Sequence, residues 1–247
     1  MDLARELSTI EEGVIRSPWP GHETVRGWAV MSLPFESGHV LASRRIPQSD
    51  FGPYATLWVR DPDGRWSLHV DGPLLEVACP RYWGPAADES RFANIELAWT
   101  GPNSAAMTVD DPALEWTFSM SQDRLLGVVN VINAALPLAS WRPRALVAAR
   151  EWLAEHVLEI GRCDLSGRLP GGMPGTMMPT RVYRIDASTA RLDGVDLGAP
   201  VRLDEPPRFG EFELPSVPLF AVGEAHVETP DQQQYERLTR KAGAAVG

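Results

Sequence analysis

Alternation of apolar and polar positions dominates residues 15–122. The clearest case is Leu114–Met120. Leu114, Trp116, Phe118 and Met120 fall on one side and Glu115, Thr117 and Ser119 on the other, the two-residue period of a half-buried strand. Ile95, Leu97 and Trp99 alternate in the same way around Glu96 and Ala98. Further strands are predicted at Trp28–Met31, His39–Ala42, Tyr54–Arg60, Arg65–Val70 and Ala105–Val109. Asp61-Pro62-Asp63-Gly64 between two of them is a strong hairpin signal, because glycine supplies the positive φ of a tight turn. Ahead of this meander, Leu3, Leu7 and Ile10 are spaced for one face of a short helix.

The pattern changes at Asp123. Leu125–Leu136 is an almost unbroken apolar run, and Pro143 opens a second helical pattern reaching about Ile160, with Gly161 as its stop. Leu146, Ala149, Trp152, Leu153, His156, Val157 and Ile160 form the predicted apolar face of that helix. Gly167–Pro179 reads as a loop. Strands resume at Arg181–Ile185 and Thr189–Leu192, joined near Asp186, and then at Phe209–Leu214 and Pro218–Val227. The expected fold is mainly β: an antiparallel β-barrel or lipocalin-like meander with a two-helix insertion around residues 124–160. One domain over 1–247 is expected, with the first meander at 15–122, the helical insertion at 123–161, closing strands at 181–228 and a polar tail at 229–247.

Composition narrows the function classes. The 33 acidic against 23 basic side chains give a net charge of −10, which argues against a nucleic-acid partner, since such binding rests on neutralising phosphates. The single lysine, Lys241, lies in the tail, so neither a Schiff-base lysine nor a phosphate-loop lysine is expected in the core. No apolar run has the length of a membrane span, and Met1–Glu12 lacks a signal-peptide layout, so a cytoplasmic setting is expected. Cys79 and Cys163 read as two inert buried thiols, with one disulfide between them as the alternative. The five histidines show no ligand spacing, and no metal or cofactor is expected.

Four side chains are candidates for acid–base work. His69 and Asp71 lie two apart on one strand and hence on one face, where a carboxylate can orient an imidazole. The plain alternative is an exposed pair beside a turn. His156 interrupts the predicted apolar face of the second helix, as a core histidine or as a group reaching a ligand. Glu96 is an alternative acid, although it faces away from Trp99. Asn130 and Asn133, three apart on the first helix, either bridge to strands or point into a pocket. The loudest signal is aromatic. A closed sheet would gather Tyr54, Trp58, Trp66, Trp99 and Trp116, joined by Trp152 from the helices, around one interior, either packed solid or enclosing a small ligand.

The stretches Asp61-Pro62-Asp63-Gly64-Arg65-Trp66, Trp99-Thr100-Gly101-Pro102 and Leu165-Ser166-Gly167-Arg168, in this order around a helical excursion, resemble the lipocalin-like (calycin) proteins of the carotenoid 1,2-hydratase and AttH group. Phe51-Gly52-Pro53-Tyr54 and Leu192–Gly198 are similar to stretches of an uncharacterised actinobacterial family. The resemblance covers most of residues 24–228 through turn and strand signals, and it transfers no catalytic position. It implies small apolar ligands and hydration or cyclisation of polyenes.

Three functions follow as expectations. The first is a cofactor-independent enzyme that cyclises, hydrates or isomerises an apolar or polyene secondary metabolite in an aromatic cavity. The second is a non-enzymatic carrier of an apolar small molecule. The third is a protein-interaction module with a filled core. Self-association into a homodimer through the Trp141–Trp152 region is a further variant left open.

Overall fold

The computed structural model describes residues 1–246. Helix α1 (Leu3–Leu7) is followed by β1 (Gly13–Val14), β2 (His22–Pro34), β3 (Val40–Ser49), β4 (Tyr54–Arg60) and β5 (Trp66–Asp71). Helix α2 (Cys79–Trp83) precedes β6 (Glu89–Phe92), β7 (Ile95–Gly101), β8 (Ser104–Val109) and β9 (Leu114–Ser121). The helical layer is α3 (Arg124–Ala135) and α4 (Arg144–His156). Next come β10 (Ser166–Arg168), β11 (Pro174–Leu192), β12 (Val195–Asp196), β13 (Arg208–Phe209) and β14 (Phe212–Glu213). Strand β15 (Leu219–Glu228) and helix α5 (Gln232–Val246) are last.

The main sheet runs β6-β5-β4-β3-β2-β15-β11-β9-β8-β7, with β1, β10 and β12 paired along its sides. It curls into a half-barrel, as the mainly β reading expects. Most pairings are antiparallel, but β1–β3 and β5–β6 are parallel. The first meander is not continuous: β6 and β7, neighbours in sequence, form opposite edges of the sheet. Strand β11 makes this possible. Its 19 residues pair with β15 over Gly175–Arg184 and with β9 over Arg184–Leu192, so one strand joins both halves. The Asp186 turn signal marks a bulge in this single strand rather than a hairpin. The expected 167–179 loop is instead the tight β10–β11 turn, with Gly172 at φ +83°. The expected polar tail is α5, which buries Leu238 and Ala242 against Phe51 and Val77, and whose Lys241 pairs at the surface with Glu76.

Alternation gives the sheet two distinct faces. The inner face carries Trp28 and Val30 of β2, Leu57 and Val59 of β4, Met107 of β8, Trp116 and Phe118 of β9 and Phe220 of β15 in one packed core, with Leu3 and Leu7 of α1 against it. The outer face is covered in patches. Helix α2 and the β13–β14 hairpin cover β3–β5, while α3, α4 and the segment after them cover β11 and β15.

Two prolines locate the bend between these patches. On one side of the paired strands β2 and β15, β3 advances from Gln48 to Arg45 while β2 advances only from Arg26 to Trp28, a bulge that contains Pro47. On the other side, β11 advances from Pro179 to Arg181 while β15 advances from Gly223 to Val222. Proline has no N–H for the ladder, so bulges are where a sheet tolerates it. Gly27 and Gly223 are directly paired between the two bulges. A Cβ on Gly27 would run into the Arg45 carbonyl oxygen, and one on Gly223 into that of Met178.

Helix α3 is hydrogen-bonded to the sheet through one side chain, beside the apolar contact of Leu126 with Val182 and its neighbours. Pairing of β11 with β9 begins only at Arg184, so the outward N–H and C=O of Val182 have no strand partner. The Asn130 carboxamide takes the vacant place, accepting from Val182 N (2.8 Å) and donating to Val182 O (2.9 Å). Helix α4 presents a different face from the predicted one. Val147 and Ala154 are buried, Glu151 accepts the Leu165 amide at 2.8 Å, and Arg150 clasps the Ser140 carbonyl. With Arg150 and Glu151 engaged, the helical turn carries Trp152 and His156 outward, where their rings stack at 5.0 Å. No described helix is long and apolar enough to cross a membrane.

Replacement of Gly27 or Gly223 by alanine is expected to cost about 4 kcal/mol or more, because the obstructing atoms are backbone and cannot rotate away. Urea denaturation measures it; a loss below about 1 kcal/mol, the ordinary cost of a substitution, would show that the bulges relax freely.

Candidate functional site

A cavity of about 200 Å³ lies on the outer face of the sheet, beneath α3 and α4, where the outer clusters meet without merging. Its floor is built from the smallest side chains of β2 and β15. Gly27 pairs with Gly223, Ala29 with Ala221 and Val25 with Ala225, so the helices rest above the strands with space between. Val129, Asn133, Leu153 and Ala154 form the roof, and Trp141, Met177 and Met178 close one side. Tyr54, Cys79, Tyr82 and Trp83 wall the side toward α2.

Two arginines face this space. Arg44 is paired opposite Ala29 and Thr56, which puts it on the outer face. Its guanidinium donates to the Val30 and Ser43 carbonyls (3.1 and 3.2 Å) and lies 3.9 Å over the Trp58 ring. No carboxylate pairs with it among the described residues, and burial pulls its pKa down to about 10. The residue is half-buried and borders the cavity. Arg150 lies 4.1 Å over the Trp141 ring and bonds the Ser140 carbonyl and hydroxyl, leaving its Nε buried without a partner. Arg81 shows what a matched buried arginine looks like in the same fold. It grips Glu23 through Nε and Nη2 at 2.9–3.2 Å, and the Tyr82 hydroxyl donates to the same carboxylate at 3.0 Å.

The thiols and phenols of the wall are held neutral, while the carboxylates at its rim, Asp164, Glu213 and Glu224, are engaged in hydrogen bonds or ion pairs. Burial raises the pKa of the Cys79 thiol and carries those of the Tyr54 and Tyr82 phenols well above their usual value. Cys163, also at the cavity, is pushed up to about 12 by burial and then by nearby acids, Glu151 foremost. Both cysteines are unpaired, so the disulfide alternative is not realised. Among the described residues, no group of three or more His, Cys, Asp or Glu is arranged to hold a metal.

Of the residues singled out from the sequence, Tyr54 and Asn133 line the cavity. Trp58 lies behind Arg44, and Trp66 joins it in the outer cluster with its indole donating to the Arg208 carbonyl at 2.7 Å. Trp116 and Trp99 pack on the inner side, so the tryptophans do not converge on one interior. Asn130 holds Val182, Trp152 is 58% exposed, Glu96 points to solvent and His156 is exposed.

His69 and Asp71 share a face but not a hydrogen bond. Arg91 Nε donates to His69 Nδ1 at 3.2 Å, which fixes that nitrogen as an acceptor, so Nε2 carries the proton toward Ser67 Oγ at 2.9 Å. Arg91 in turn pairs with Asp111 at 3.1 Å, so the imidazole lies in a seam between β5–β6 and the β8–β9 turn. Arg44 and Arg150 are the functional candidates that residue patterning missed. The available signal was an arginine in step with Val40, Ala42 and Ile46, three apolar residues of the same outer-face set. No family model, curated protein or solved structure matches this chain.

Burial, and then the charge of Arg91, lower the His69 pKa to about 4. The unfolded chain protonates this side chain near 6.5 and the native state only near 4, so the unfolded state binds more protons between these values. Stability is therefore expected to fall by about 3 kcal/mol as pH drops from 6.5 to 4. In His69→Asn that component of the pH dependence should vanish from urea denaturation curves; parallel curves for the two proteins would contradict this role.

Proposed function

We propose that this protein binds a small apolar molecule in the cavity between the outer face of the sheet and helices α3 and α4. The observation that carries the reading is the bare floor. Four strand positions, Gly27, Ala29, Ala221 and Gly223, present at most one methyl group to a space roofed by apolar helix residues. Ligand sites are typically concave, mostly apolar recesses of this kind, set between packed layers. The engineered apolar cavity of ~150 Å³ that admits benzene sets the scale for a ligand of one ring or a medium-length chain.

A binding role is supported over cyclisation, hydration or isomerisation by the location of the acid–base candidates. His69, Asp71, Glu96 and His156 are not among the residues that border the cavity. Of the ionisable groups that do border it, the thiol and phenols are kept protonated by their surroundings. The carboxylates Glu213, Glu224 and Asp164 are taken up by Arg162 and Arg208, by Arg26 and by the Glu213 amide, whereas an acid–base catalyst needs a free group with a pKa near the working pH. Ligand capture by the cavity, as a carrier or a sensor, needs no such group.

Native mass spectrometry of the full chain with octanol tests the reading. One octanol is expected to be retained per chain, and Ala221→Leu, which places three more carbons in the cavity, should remove it while the protein still melts cooperatively. Absence of a 1:1 complex, or a complex that Ala221→Leu leaves intact, would overturn the assignment.

A further inference from the structure

Arg44 gives the cavity a chemical preference. We infer that the ligand is an anion, an apolar molecule ending in a carboxylate, with Arg44 as its counter-ion in the cavity; this rests on the binding reading above. A charged group taken out of water is expensive unless paired, and buried guanidinium groups ordinarily find a carboxylate. Arg81, on the α2 helix that covers the outer face, obeys the rule through Glu23. Arg44 has two main-chain carbonyls and an aromatic face instead, which satisfy part of its five-donor fork and supply no negatively charged partner.

The remaining charges near the cavity do not supply the missing anion. Glu213 is committed to Arg162 and Arg208, and Glu224 to Arg26. Asp164 accepts the Glu213 amide at 2.7 Å. The phenol of Tyr54 and the thiol of Cys79, the ionisable neighbours that act on Arg44, are neutral. A ligand carboxylate beside Arg44 would accept N–H bonds that no residue now takes, in a setting where such charge-assisted bonds are strong. Trp58, stacked on the guanidinium, holds the fork in place before the ligand arrives. Arg150 is a second cation on the same cavity without a carboxylate partner, set on the helical roof.

Calorimetric titration with octanoate and octanol, molecules of equal chain length and different head group, tests the inference. The wild-type chain is expected to prefer octanoate roughly tenfold or more, one charge-assisted contact's worth of discrimination. Arg44→Met should remove that preference while octanol binding persists, and Arg44→Lys should restore part of it. A wild-type ratio near one, or a preference that survives in Arg44→Met, would overturn the head-group assignment and leave the cavity reading standing. Failure of both compounds to bind the wild type would overturn the cavity reading and this assignment with it. Retained octanol binding in Arg44→Met also shows that the variant is folded at the site.

Discussion

Two glycines paired across adjacent strands set the shape of this molecule. Gly27 and Gly223 stand between bulges in β3 and β11, and each lets a neighbouring carbonyl approach to where a side chain would begin. That approach bends the sheet, so that β2–β5 and β7–β9 close on the common inner core. Bulges concentrate twist and curvature where they occur, and here one falls on either side of the central strand pair. The bend has a second effect on the opposite face. With no side chain at Gly27 and Gly223 and only methyl groups at Ala29 and Ala221, the centre of the outer face cannot fill the space beneath the helices. Curl and cavity have one origin.

The helices complete the cavity without packing tightly on its floor. Helix α3 buries only Leu126 and Asn130, and it is Asn130 that fixes its height by standing in for a missing strand partner of Val182. Helix α4 is held through polar contacts of Arg150 and Glu151 as much as through Val147 and Ala154. Leu125, Val128, Val131 and Ile132 consequently face outward from α3. An anchor made of two hydrogen bonds and a few methyl groups leaves the helix layer loosely held over the cavity, since regions with few buried apolar contacts are those that open most readily. The two arginines without carboxylate partners, one on the floor and one on the roof, then give the cavity its polarity.

Much of the fold was legible in the sequence, because local signals were strong. Alternation located β7 and β9, Asp61–Gly64 located the β4–β5 hairpin, and the apolar run and Pro143 located α3 and α4. What escaped was long-range. Nothing near β2 indicates that it pairs with β15, and no turn residue reveals that β11 runs straight through Asp186. The tryptophans show the same limit. A period of two fixes which residues of one strand share a face, but not which face points inward. Trp58 and Trp66 therefore fall outside the half-barrel while Trp28, Trp99 and Trp116 fall within it. The candidate site was less legible still, since its main features are side chains that are absent and an arginine distinguished only by lacking a partner.

The methionines report directly on which side of the sheet receives the ligand. Among the 7 methionines, Met31, Met177 and Met178 border the outer cavity, while Met107 and Met120 lie in the inner core. Methyl resonances of selectively labelled methionine, followed during an octanoate titration, are predicted to shift at Met31, Met177 and Met178 and to stay fixed at Met107 and Met120. Shifts confined to Met107 and Met120 would place the ligand inside the half-barrel and contradict the account.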